Sequence, residues 1–156
     1  MSSFEELQQI AADKGIDVVD WDFESNKIQG LYCDNVIAIN KNISSSIAKA
    51  CVLEEEIAHH DLTVGDIIIE SIPQNCRQEQ KARMLAFIRR VNLWDLANVL
   101  RKGYHSISDI AEYMDVTEEF LVAAIERYRQ KYGSYVQVDD DTLLLDPTVA
   151  LLSQIQ

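Results

Sequence analysis

Apolar residues recur at helical spacing at Phe4, Leu7, Ile10 and Ala11 and stop at Gly15, which predicts a first helix of about three turns facing a core. The pattern then changes to β-type composition in residues 16–23, 28–33 and 35–40, with Glu24-Ser-Asn-Lys27 as a turn. A small antiparallel sheet is the economical assembly of these strands. Ser44-Ser-Ser46 supplies N-cap candidates for a helix from Ile47 to about His60, with Ile47, Ala50, Cys51 and Ile57 on its inward side. Residues 63–75 read as a loop around one short apolar run, and a further helix follows over residues 77–91 with Glu79, Ala82 and Ala86 on one face.

The last third has a different periodicity. Leu93, Leu96, Ala97, Val99 and Leu100 form a short helix ended by Gly103; Ser106 or Ser108 caps a second around Ile110, Ala111 and Met114. Asp115-Val-Thr117 turns into a third helix through Tyr132, with Phe120, Leu121, Ala124, Ile125 and Tyr128 as its buried stripe. This is a helix-turn-helix-like arrangement. Residues 135–138 and 142–145 flank Asp139-Asp-Asp141 as a hairpin or strand pair, and residues 149–152 either dock on a core or form a tail. The expected class is α+β: residues 1–91 as a helical domain with a small antiparallel sheet, and residues 92–156 as a helix-turn-helix-like region with a C-terminal hairpin or tail.

Charge alters this picture more than composition does. The formal net charge is −12, and it is unevenly spread: residues 1–76 carry 14 acidic and 4 basic side chains, residues 77–103 carry 2 and 7, and residues 104–156 carry 10 and 3. A surface of this sign is repelled by nucleic acid and attracted to basic partners. Glu118 and Glu119 at the start of the third helix argue further against direct DNA binding, because that helix start is where a DNA reader meets phosphates and base edges. Cys33, Cys51 and Cys76 are odd in number with no C-x-x-C spacing, which disfavours a disulfide framework or a thiolate zinc cluster. No run approaches the ~18 apolar residues of a membrane span, and the acidic N-terminus is unlike a signal peptide, so a cytoplasmic location is expected.

The candidate chemistry lies in Glu54-Glu-Glu-Ile-Ala-His-His60. Residues four apart share a helix face, so Glu55 pairs with His59 and Glu56 with His60. Taken alone, three consecutive carboxylates read as a solvated helix face; His59 one turn later raises the metal reading. The spacing is that of the zinc-hydrolase pattern H-E-x-x-H with its first histidine replaced by Glu55. The small alanines of the 77–91 helix allow a close approach that would bring Glu79 to His59. Asp17, Asp20, Asp22 and Asp34 lack metal-ligand spacing and read as solvated strand residues, and the 139–141 triplet lacks the glycine and spacing of a calcium loop.

The order Ala48-Lys-Ala-Cys-Val-Leu-Glu-Glu-Glu-Ile-Ala-His-His60, Thr63-Val-Gly-Asp66, Gln78-Glu-Gln-Lys-Ala-Arg-Met-Leu-Ala86 and Ile110-Ala-Glu-Tyr-Met-Asp-Val-Thr-Glu-Glu-Phe120 resembles the ImmA/IrrE-type metallopeptidases, in their short phage and mobile-element versions. The resemblance covers roughly residues 1–133. It implies a zincin-like first domain with Glu55, His59 and Glu79 as metal ligands, Glu56 as general base, and His60 as a supporting residue. It also implies an antirepressor that inactivates a helix-turn-helix repressor during prophage induction, by metal-dependent endopeptidase cleavage. The alternative is a peptidase-like protein that acts by stoichiometric binding. Zinc is the expected metal, with manganese or another divalent ion favoured more than usual because Glu55 hardens the donor set.

Overall fold

The computed structural model describes residues 1–64 and 78–153. Most of the linking loop with its short apolar run, together with Cys76 and Arg77, lies outside these residues. The described residues form six helices and two three-stranded sheets, an α+β chain. They divide into two compact units, one within residues 1–86 and the other within residues 87–156.

The first unit begins with α1 (Ser3–Asp13), capped by the Ser2 side chain, which accepts from the Glu5 N–H. Gly15, at φ +76°, turns the chain out of the helix, a conformation that costs glycine little. The buried stripe is narrower than the sequence pattern indicates. Leu7 and Ala11, four apart, are buried, Phe4 is half-buried, and Ile10 is exposed.

Three strands follow: β1 (Asp17–Trp21), β2 (Gly30–Cys33) and β3 (Val36–Asn40). Asp34 and Asn35, both at positive φ, make the two-residue hairpin that joins β2 to β3. The sheet order is β1-β3-β2, with β1 parallel to β3 and β2 antiparallel to it, so the expected all-antiparallel sheet is in fact mixed. The physical reason is burial. β3 (Val-Ile-Ala-Ile-Asn) is the most apolar strand and takes the centre, while Asp17 and Asp20 keep β1 at an edge where carboxylates remain in water.

One face of this sheet packs on α1 and on α2 (Ser46–Thr63), which is capped by Ser45. Leu7, Ala11, Ile16, Ile37, Ile39, Ala50, Leu53 and Ile57 make the core, with Val18 and Tyr32 packed against it. Each large aliphatic side chain buried here contributes roughly 2 kcal/mol. A salt bridge ties the end of α1 to α2: Lys14 Nζ lies 2.9 Å from Asp61 Oδ1, and the Asp61 side chain is fully buried. On the other side of α2, Ala58 packs with Ala82 and Leu85 of α3 (Gln78–Arg90).

The second unit starts inside α3. Phe87 stacks edge-on against Phe120 at 5.1 Å, and the buried Tyr128 hydroxyl donates to the Val91 carbonyl at 2.7 Å. Asn92, Ser106 and Thr117 cap α4 (Leu93–Arg101), α5 (Ile107–Met114) and α6 (Glu118–Tyr132). Asp115 at φ +58° makes the turn between α5 and α6, and the expected stripe of Phe120, Leu121, Ala124, Ile125 and Tyr128 is buried.

β4 (Tyr135–Val138), β5 (Asp141–Leu144) and β6 (Ala150–Leu152) form an antiparallel sheet, so the segment expected either to dock or to form a tail is a third strand. Much of the basic island has internal partners: Arg90 donates to the Asp115 carbonyl, Arg101 pairs with Asp141 at 2.6 Å, and Lys102 contacts the Tyr113 hydroxyl. Among the described residues, no helix is long and apolar enough to cross a membrane.

Candidate metal centre

α2 is long enough to carry its carboxylates well past the capping serines, and its middle is enclosed between the sheet and α3. Glu54, Glu56 and His60 are therefore buried, and Glu55 and His59 half-buried. A solvated carboxylate face is not what the helix presents. Burying several acidic groups in one turn is costly unless each has a partner or binds a cation.

The structure brings Glu55, His59 and Glu79 together: one ligand atom from each lies within 4.8 Å of the other two. The first two come from successive turns of α2, and Glu79 from the first turn of α3, where its charge also suits the helix dipole. His59 Nε2 and Glu79 Oε2 are 3.3 Å apart. That is close to the spacing of two donors each about 2 Å from a shared tetrahedral ion. The donor set of one imidazole nitrogen and two carboxylate oxygens fits a divalent cation. In its absence the pair is a hydrogen bond only if Nε2 carries a proton, which a metal displaces.

Glu56 faces β2. A Cβ added at Gly30 would stand 3.2 Å from Glu56 Cγ and 2.7 Å from Val52 Cγ1, so glycine is what lets the strand lie this close to the helix. Burial, reinforced by the charges of Glu55 and Glu79, pushes the Glu56 carboxyl up to about 7, against the backbone N–H of Tyr32, which favours its ionised form. Burial also raises Glu55, opposed by the nearby Arg83 guanidinium and His59 and supported by Glu79. Both acids retain protons more readily than free glutamates, and a bound cation would favour releasing them.

His60 is directed away from solvent. Its Nδ1 lies 2.8 Å from the Tyr32 hydroxyl, and the two rings meet edge to face at 5.4 Å. Two neighbouring residues, Tyr32 and Arg83, fall outside the Glu54–His60 pattern. Tyr32 holds His60 through its hydroxyl, and its backbone N–H favours the ionised form of Glu56, a relationship between a strand and a helix that no local spacing announces. Arg83 places Nε 4.0 Å from Glu55 Oε2. Its signal is its position four residues after Glu79, but the face it shares with Glu55 is created by packing.

No family model matches the chain, and no curated protein or solved structure matches it at a significant level.

Proposed function

We propose that the first unit is a metal-dependent peptide hydrolase and that the protein is an ImmA/IrrE-type antirepressor, which inactivates a helix-turn-helix repressor by site-specific cleavage. The observation that carries the reading is the convergence of Glu55, His59 and Glu79 from two helices, with Glu56 buried one residue away on the same helix. These residues would hold zinc or, given two carboxylates, manganese. Such an ion supplies an acidified water and polarises a scissile carbonyl.

The chain's own contribution is proton management and positioning. Glu56, already poised near neutrality, accepts the proton of the attacking water and returns it to the leaving amine. The backbone N–H of Tyr32 favours the ionised form of Glu56. Among the described residues β2 is an edge strand, and its outer side suits an extended peptide added as a further strand.

One observation favours a second reading, stoichiometric inactivation of the repressor without cleavage. Arg83 sits beside Glu55, at the position where H-E-x-x-H carries histidine, and a guanidinium there competes with an ion for the carboxylate. The two readings separate in one experiment. Purified protein loaded with zinc or manganese is incubated with the repressor of its own genetic element, beside Glu56→Gln. Cleavage by the wild type alone supports the hydrolase, while binding of intact repressor by both proteins sinks it.

A further inference from the structure

The outer face of the β1-β3-β2 sheet is apolar, and among the described residues no helix packs on it. The register places Val19 and Leu31 on either side of Ala38, and Val36 beside Cys33. Side chains alternate along a strand, so Val19, Trp21, Leu31 and Val36 share the face opposite the Val18, Ile37 and Tyr32 face that meets α1 and α2. Their exposures are 41, 58, 54 and 38%, so four large apolar side chains of one small sheet stand in water together. Isolated exposed hydrophobics are ordinary, but a contiguous group with a tryptophan is how interaction sites look.

The rim decides what covers it. Residues 16–43 carry five acidic side chains and two basic ones; Asp20 alternates to the opposite face, while Asp17 lies on this face itself, Asp34 in the hairpin and Asp22 just beyond Trp21. One of the two lysines, Lys41, is already paired with Asp22 at 3.5 Å. A second copy of this chain docked face to face would bring an equally acidic rim against this one. An anionic membrane surface is repelled for the same reason. We infer that this face docks the basic, apolar-bearing surface of a partner protein. It lies across the sheet from α2, so docking does not obstruct Glu55, His59 or Glu79, and the inference stands whether or not those residues bind metal.

The test uses the full chain carrying Trp94→Phe, which leaves Trp21 as the lone tryptophan, and a synthetic amphipathic helix of leucine and lysine as the probe. Binding should shift Trp21 emission to the blue, weaken about tenfold in Leu31→Ser, and weaken again with added salt. His59→Ala should bind equally well. Leu31→Ser, a change at an exposed position, should retain the fold, which circular dichroism checks. Binding without a Trp21 response, equal affinity for a leucine–glutamate helix, or loss of binding in His59→Ala would overturn the proposal. So would sedimentation showing a dimer of the chain that Leu31→Ser converts to monomer, since a second copy would then be the occupant.

Discussion

The Tyr32 hydroxyl lies 2.8 Å from His60 Nδ1 and the two rings meet edge to face at 5.4 Å, so a residue of β2 holds a buried side chain of α2. Removing the hydroxyl strands a buried imidazole nitrogen. Tyr32→Phe should therefore cost about 1–2 kcal/mol in urea unfolding. An unchanged midpoint would show that the pair contributes nothing to stability.

Gly30 makes the close approach of β2 to α2 possible. A methyl group there meets Val52 and Glu56, and Gly30→Ala should destabilise by about 1–3 kcal/mol. Shortening the obstructing side chain in Gly30→Ala/Val52→Ala should cost less than the two single changes added together. Strict additivity in a double-mutant cycle would refute the clash.

Metal addition should raise the thermal midpoint. A ligand at a hundred times its dissociation constant stabilises by about 2.7 kcal/mol. Titration of chelator-treated protein with zinc and with manganese, followed by calorimetry, should show this rise for wild type and none for His59→Ala. Equal shifts in both proteins would place the ion elsewhere.

For the metal-free protein, the raised carboxyl of Glu56 has a defined consequence for pH. A folded value of about 7 against 4.5 for the free group means that folding favours the protonated acid. Its stabilising contribution is complete below pH 4.5, declines as pH rises through 7, and amounts to on the order of 3 kcal/mol over that window. Glu56→Gln should flatten much of this decline in denaturant titrations with chelator present, leaving the smaller part due to Glu55. A parallel slope in the variant would contradict the assigned burial.

Lys14 and the fully buried Asp61 join α1 to α2. Lys14→Met should destabilise by about 2 kcal/mol at neutral pH, because a charged hydrogen bond to an enclosed carboxylate is lost. Lys14→Met/Asp61→Leu should recover part of that loss, and failure to do so would show that Asp61 is held mainly by its other interactions.

Local chemistry is legible in the chain itself. The serine caps, the glycine at position 15, the α6 stripe and the four-residue spacing of Glu55 and His59 each depend on neighbours within a turn or two, and each appears where the pattern puts it. Glu79 is legible as well, because Ala82 and Ala86 announce a helix that packs closely.

What the sequence by itself determined, then, was which residues could form helices and strands and which side chains could share a helical face, since these follow from short-range sterics and periodicity. The tertiary structure alone decided three things: that β3 lies between β1 and β2, that Glu54 and Glu56 are enclosed, and that Tyr32 meets His60 while Arg83 stands beside Glu55. Each depends on which surfaces meet. Strand order and burial are set by competition among apolar faces across the whole unit, and a carboxylate's environment is created only when distant segments close around it.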